Sequence, residues 1–230
     1  MGQRVAVFGA YGHTGRFVVT ELRERGFVPL LLGRDESRLA ASGLAYRVAS
    51  VDDPASLDQA LIGADAVINC AGPFASTAAP VIEAALRAGI PYVDVAAEIE
   101  ANVDTFAHFG KPARAAGISV VPAMAFFGGL GDLLVTTAMG DWTSADEAHV
   151  AYGLSSWHPT AGTVAAGAVS RERRADVVAG IEPQQQTRRA HATGCAGCQP
   201  SAGAIVSASV RSRASASSSD ELSDCTTGRK

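Results

Sequence analysis

The 230-residue chain has a net charge of −4, an isoelectric point near 5.7 and 47% apolar residues, enough for one large domain or one domain and part of a second. The acidic balance argues against a nucleic-acid partner. The absence of a basic-apolar leader or a membrane-length apolar run predicts a cytoplasmic protein with no membrane partner. Four cysteines, Cys70, Cys195, Cys198 and Cys225, are too few for a disulfide scaffold.

The first element is the run Val5-Ala6-Val7-Phe8, which reads as a short strand buried on both faces. It leads into Gly9-Ala10-Tyr11-Gly12-His13-Thr14-Gly15-Arg16 and a helix to about Arg25. Gly9 permits a tight turn, Gly12 lets backbone approach a pyrophosphate, and Gly15 lets the helix pack close to the strand. The anion would meet free N–H groups at the helix start near Thr14. The spacing Gly-x-x-Gly-x-x-Gly is a relative of the dinucleotide fingerprint, and its place between strand and helix gives it weight over a merely structural turn. Gly9, Tyr11, Gly12, His13, Thr14 and Gly15 are the expected cofactor contacts in this turn.

Val28 to Leu32 is a second strand, ending in Gly33-Arg34-Asp35. At this place an acid would bind the ribose 2′-hydroxyl of NAD, whereas arginine would pair with the 2′-phosphate of NADP. Arg34 therefore favours NADP over NAD, with Arg38 as a second charge one turn on. The alternative leaves Asp35 on the ribose and Arg34 in solvent.

Tyr46 to Ser50 predicts a third strand, and Asp53-Pro54 the cap and first turn of a helix carrying Leu57, Ala60 and Leu61 on one face. Ala64 to Cys70 is a fourth strand, followed by Ala71-Gly72-Pro73-Phe74. Ligands of open parallel sheets bind beyond the carboxyl ends of the strands where their order reverses, so Ala71, Gly72 and Pro73 are expected to border a nicotinamide. A helix from about Thr77 to Ala88 precedes the strand Pro91 to Val95, whose end is bracketed by Asp94 and Glu98. These carboxylates suit acid/base work or an amine ligand, while Glu98 equally suits a helix N-terminus. Asn102 to Ala116 reads as a helix broken near Gly110-Lys111-Pro112, and Gly117 to Val121 as a sixth strand. Six strands with helical crossovers predict an α/β, doubly wound parallel sheet.

Taken in order, Val7 to Arg16, Gly33-Arg34-Asp35 with Arg38-Leu39-Ala40, Val67 to Phe74, and Tyr92-Val93-Asp94 with Glu98 resemble the saccharopine dehydrogenase-like family over roughly residues 1–122. The resemblance implies a Rossmann domain carrying NADP(H), followed by an α/β domain that closes over a small-molecule substrate. Such a chain would be an oxidoreductase; a non-catalytic NADP-binding protein is the alternative. One departure is Ala125 to Asp132, where members of the family often carry a Gly-Phe-Asp-Ser-Val-Pro-like turn. Asp132 is therefore expected only to cap a helix from Leu133 to Met139.

The short-chain reductases share the glycine spacing but protonate substrate with a Tyr-x-x-x-Lys pair. Lys111 and Lys230 are the only lysines here, and neither has a tyrosine four residues before it. No metal-ligand set or Gly-x-Ser-x-Gly elbow stands in the first 180 residues, so no metal is expected.

Residues 123–183 are expected to hold a connecting helix and a partial substrate domain. It would begin with a strand over Glu147 to Ser155 and include a helix over Ala165 to Val178. His158 is a candidate general acid without an identified partner. No Phe, Tyr or Trp follows Trp157, and residues 184–230 are rich in Ser, Ala, Arg, Gly and Thr. Too few large apolar side chains remain to offset the entropy of ordering, so this tail is expected to be disordered, and the abrupt loss of pattern suggests a frameshift or truncation near Gln184 to Arg188. A substrate domain so reduced would leave an apolar edge able to support a homodimer.

Overall fold

The computed structural model describes residues 2–145, 147–153, 158–179 and 205–211. The chain divides into two compact units, one holding residues up to Ala125 together with a later helix, the other starting at Phe126.

The first unit is built on six parallel strands: β1 (Arg4–Phe8), β2 (Val28–Gly33), β3 (Tyr46–Val48), β4 (Ala66–Asn69), β5 (Tyr92–Asp94) and β6 (Val120–Val121). They lie in the order β3-β2-β1-β4-β5-β6, with β1 paired to β2 from Arg4↔Val28 to Phe8↔Leu32 and to β4 from Val5↔Ala66 to Phe8↔Asn69. The order reverses between β1 and β4. The predicted doubly wound parallel sheet, a Rossmann fold, is the observed one.

Alternation along β1 explains its unbroken apolar run. Ala6 and Phe8 pack with Leu30, Leu32, Val67 and Tyr92 on one face, where α3 (Pro54–Leu61) and α4 (Phe74–Ala88) lie. Val5 and Val7 pack with Leu31, Val19, Leu22 and Leu39 on the other, under α1 (His13–Glu24) and α2 (Glu36–Ala40). Both faces are covered, so β1 between its ends carries apolar side chains on both. Each fully buried Leu or Val side chain contributes about 1.5–3 kcal/mol.

Local signals set the helix ends. Asp53 caps α3 by accepting from Ser56 N at 3.2 Å, with Pro54 in the first turn as expected. Gly89 ends α4 in the left-handed conformation at φ 66°, a region that penalises a side chain. α4 begins at Phe74, three residues before the predicted start.

The predicted break near Gly110-Lys111-Pro112 is not observed: α5 (Ile99–Ala116) runs through Pro112. Ala101, Thr105 and Ala113 are buried, and Phe109 packs against the core, giving a stripe at four-residue spacing. Tertiary packing of that stripe outweighs the local cost of proline, which sits on the exposed side. α7 (Ala161–Ala179), expected within the partial second domain, belongs to this first unit and packs against α4 and α5.

The second unit contains α6 (Gly129–Met139) and an antiparallel pair of strands, β7 (Glu147–Gly153) and β8 (Ile205–Arg211). Asp132 does not cap α6; Gly128 holds that position and Asp132 lies in the first turn, where a negative charge complements the helix dipole. Phe126, Phe127 and Tyr152 form an aromatic cluster with centroid separations of 4.9–5.2 Å. A Cβ on Gly131 would lie 2.7 Å from the Tyr152 hydroxyl oxygen, so glycine lets the ring end approach α6 here. β8 lies within the stretch from 184 onward that composition alone reads as disordered, with its backbone paired to β7. The remainder of that stretch, including Cys195, Cys198 and Cys225, lies outside the described residues.

Candidate functional site

The turn after β1 is fixed by backbone alone. Gly9 N donates to Leu32 O at 2.9 Å, and Gly12 N donates to Gly9 O at 2.9 Å. Gly9 has φ 80°, and a Cβ on it would lie 2.9 Å from Ala71 N, so the ends of β1 and β4 meet at a glycine that no other residue can replace without strain. A Cβ on Gly15 would strike the Gly9 carbonyl oxygen and lie 2.9 Å from Ala10 Cα, which accounts for its burial under the turn. Gly9 and Gly15 thus fill the tight-turn and close-packing roles that the sequence implied.

A cavity of about 1050 Å³ opens at this reversal point. Gly9, Tyr11, Gly12, His13 and Thr14 line its middle, Gly33, Arg34, Ser50, Val51 and Asp52 one end, and Cys70, Ala71, Gly72, Pro73, Phe74 and Glu98 the other. Thr160, Thr163 and Ser170 from the start and first turns of α7 complete the wall. Every predicted cofactor contact except Gly15 therefore lines one cavity, and Gly15 supports it from beneath. The exposed helix start and the cradle around Gly12 suit a pyrophosphate, so the residues present fit a dinucleotide.

At the β2 end, Tyr11 lies against Gly33, and the Arg38 guanidinium sits 4.4 Å from the ring centroid. Arg34 is exposed and lines the cavity, whereas Asp35 does not. Asp35 Oδ1 accepts from Ser37 Oγ at 2.7 Å and from Arg38 N at 3.1 Å, capping α2. The Ser37 hydroxyl and the Arg38 N–H together hold the Asp35 carboxyl below its ordinary range. The acid at this place is engaged in its own helix cap, and the arginine faces the cavity.

At the β4 end a buried polar chain holds the wall. Asn69 Oδ1 accepts from Ala71 N at 3.0 Å, and its Nδ2 donates to the Tyr92 hydroxyl at 3.2 Å. Thr77 Oγ1 donates to Ala71 O. Tyr92 in turn donates to Asp94 Oδ2 at 2.8 Å, and Asp94 Oδ1 accepts from Ala96 N at 2.9 Å and Ala123 N at 2.8 Å. Ala123 has φ 59°, and this bond fixes it there. Asp94 is 1% exposed and does not line the cavity. Its acceptors are spent on structure, so the acid/base reading of Asp94 has no geometric support. The signal in the sequence was alternation: Tyr92 and Asp94, two apart on one strand, share a face with Asn69 of the neighbouring strand.

Glu98 does line the cavity, and it is 4% exposed. Its Oε1 accepts from Phe74 N at 2.9 Å and its Oε2 from Ala97 N at 3.3 Å. It thus caps α4 across 24 residues of sequence, although it stands immediately before α5. Glu100, which sequence reasoning did not single out, is 1% exposed and accepts from Ser170 Oγ at 3.2 Å, tying α7 to α5.

Burial pushes the Cys70 thiol up to about 12, with the nearby Asp94 charge adding to the effect, which keeps this half-buried wall residue a neutral thiol near pH 7. His158 is exposed and belongs to the second unit. Among the described residues no cluster of three or more His, Cys, Asp or Glu could hold a metal ion, and no helix is long and apolar enough to cross a membrane.

Residues 9–115 match the model of a family described as NAD(P)H-binding. The chain is 30% identical over 142 residues to a probable mitochondrial saccharopine dehydrogenase-like oxidoreductase of Arabidopsis thaliana, covering 53% of this chain and 31% of that protein. It is 25% identical over 145 residues to the saccharopine dehydrogenase-like oxidoreductase of Bos taurus, covering 53% and 34%, and 30% identical over 136 residues to a lipid droplet localized protein of Caenorhabditis elegans, covering 52% and 32%. Each match spans about a third of the relative's length. Among solved structures, apo saccharopine dehydrogenase (L-Glu forming) of Saccharomyces cerevisiae aligns with TM-score 0.51 and 19% identity, covering 66% of this chain and 35% of that one, a likeness of fold. The N-terminal half of this chain is a Rossmann domain whose residues 9–115 match an NAD(P)H-binding family model and which is similar in sequence to saccharopine dehydrogenase-like oxidoreductases.

Proposed function

We propose that this chain is an NADP(H)-dependent oxidoreductase that transfers hydride to or from a small-molecule substrate. The observation that carries the choice of NADP is the division of labour at the end of β2: Arg34 lines the cavity while Asp35 is turned into the cap of α2. A planar guanidinium there can hold a 2′-phosphate through paired hydrogen bonds. When bound, the cofactor supplies the hydride chemistry at its nicotinamide ring. The chain's own residues bind and aim it: the Gly9 to Thr14 turn at the pyrophosphate, Tyr11 and Arg34 at the adenosine, and Ala71, Gly72 and Pro73 at the nicotinamide. Fluorescence titration tests the cofactor reading, with NADPH binding at least about tenfold tighter than NADH as the expected result. NADH binding equally well would overturn the preference.

A second reading is a non-catalytic NADP-binding protein. It is favoured by the engagement of Asp94 in structure. Substrate-dependent oxidation of NADPH in a turnover screen supports the enzyme; binding without turnover supports this second reading.

A further inference from the structure

Glu98 is a buried carboxylate in the wall of the cofactor cavity, held against the segment that would border the nicotinamide. Its hydrogen-bond donors among the described residues are two backbone N–H groups, those of Phe74 and Ala97. None of the ion pairs among the described residues includes it. The positive end of the α4 dipole lies against this carboxylate and helps fix its position, but supplies only partial charge. A buried anion without a full counter-charge attracts a cation placed beside it, more strongly than in water. The oxidised nicotinamide ring carries one positive charge and the reduced ring none.

We propose that Glu98 biases this cleft toward the oxidised, cationic form of the cofactor. Resting on the cofactor reading above, the inference gives Glu98 a role that neither its place before α5 nor its cap on α4 requires. Other charged side chains lining the cavity, His13, Arg34 and Asp52, stand at the turn and at the β2 end, where both cofactor forms present the same groups. Glu98 faces the part that changes charge.

The test is direct binding of NADP+ and NADPH to the full chain and to its Glu98→Gln variant, with circular dichroism melts as a folding control. Glutamine keeps an acceptor for Phe74 N and removes the charge. The expected result is about a tenfold rise in the Kd for NADP+ with the Kd for NADPH changed less than about twofold, since one charge facing one charge across a partly screened site is worth on the order of tenfold. An unchanged ratio, or a parallel rise in both, overturns the inference and leaves the cofactor reading intact. If neither form binds the unaltered chain, both fall together. Should Glu98→Gln fail to fold, the unaltered chain still decides: NADPH bound about tenfold or more tightly than NADP+ contradicts the bias.

Discussion

Tyr11 lies so close to Gly33 that a Cβ on the glycine would sit 2.6 Å from Tyr11 Cε1. The Arg38 guanidinium approaches the same ring to 4.4 Å from its centroid. The glycine turn after β1 and the end of β2 are thereby joined at one aromatic ring, which shapes the β2 end of the cavity. Gly33→Ala must displace the ring. It is expected to raise the Kd of NADPH and NADH alike by about tenfold, with a smaller effect on stability because the displaced group is a partly exposed side chain. Isothermal titration with both cofactors checks it, and a selective loss for one would contradict the shared role of the ring.

Arg34 should behave differently. Arg34→Ala is expected to weaken NADPH by about tenfold to a hundredfold while leaving NADH within about twofold, because only the former has a 2′-phosphate to lose. The paired titration also separates a phosphate contact from general attraction, which salt would suppress for both ligands.

Asp94 answers to stability. Asp94→Ala leaves Ala96 N, Ala123 N and the Tyr92 hydroxyl without their acceptor in a buried setting, and should cost about 3 kcal/mol. Asp94→Asn retains a carbonyl oxygen and should cost about 1 kcal/mol. Urea unfolding of the full chain measures both. A loss of turnover without loss of stability would restore a chemical role to this residue.

Cys70 sets a pH dependence. Its folded pKa, about 12, stands above the value of roughly 8.5 expected once the chain unfolds, so between these values the folded state keeps a proton that the unfolded state releases. The stability it contributes is whole below about pH 8.5 and is lost as the pH rises toward 12. At pH 8 alkylation of the Cys70 peptide, followed by mass spectrometry, should be at least about a hundredfold slower in the folded chain than in urea. Equal rates would show that the thiol is not buried.

The sequence by itself determined the Rossmann unit. Apolar runs of strand length, Gly9, Gly12 and Gly15 at their spacing, the Asp53-Pro54 helix start and the Gly89 stop are local instructions, each legible because backbone geometry at those positions depends on near neighbours. The placement of Arg34 at the end of β2 was legible for the same reason. Only the tertiary structure decided what the carboxylates do. Asp94 and Glu98 are four residues apart and look alike in sequence, yet one is spent on a strand-to-loop tether and the other reaches back to the start of α4 and lines the cavity. The continuity of α5 through Pro112, the return of α7 to the first unit and the pairing of β8 with β7 are likewise products of contacts between residues distant in sequence. Burial and hydrogen-bond partners belong to the packed chain, and local propensity yields to them wherever the energy of packing is larger.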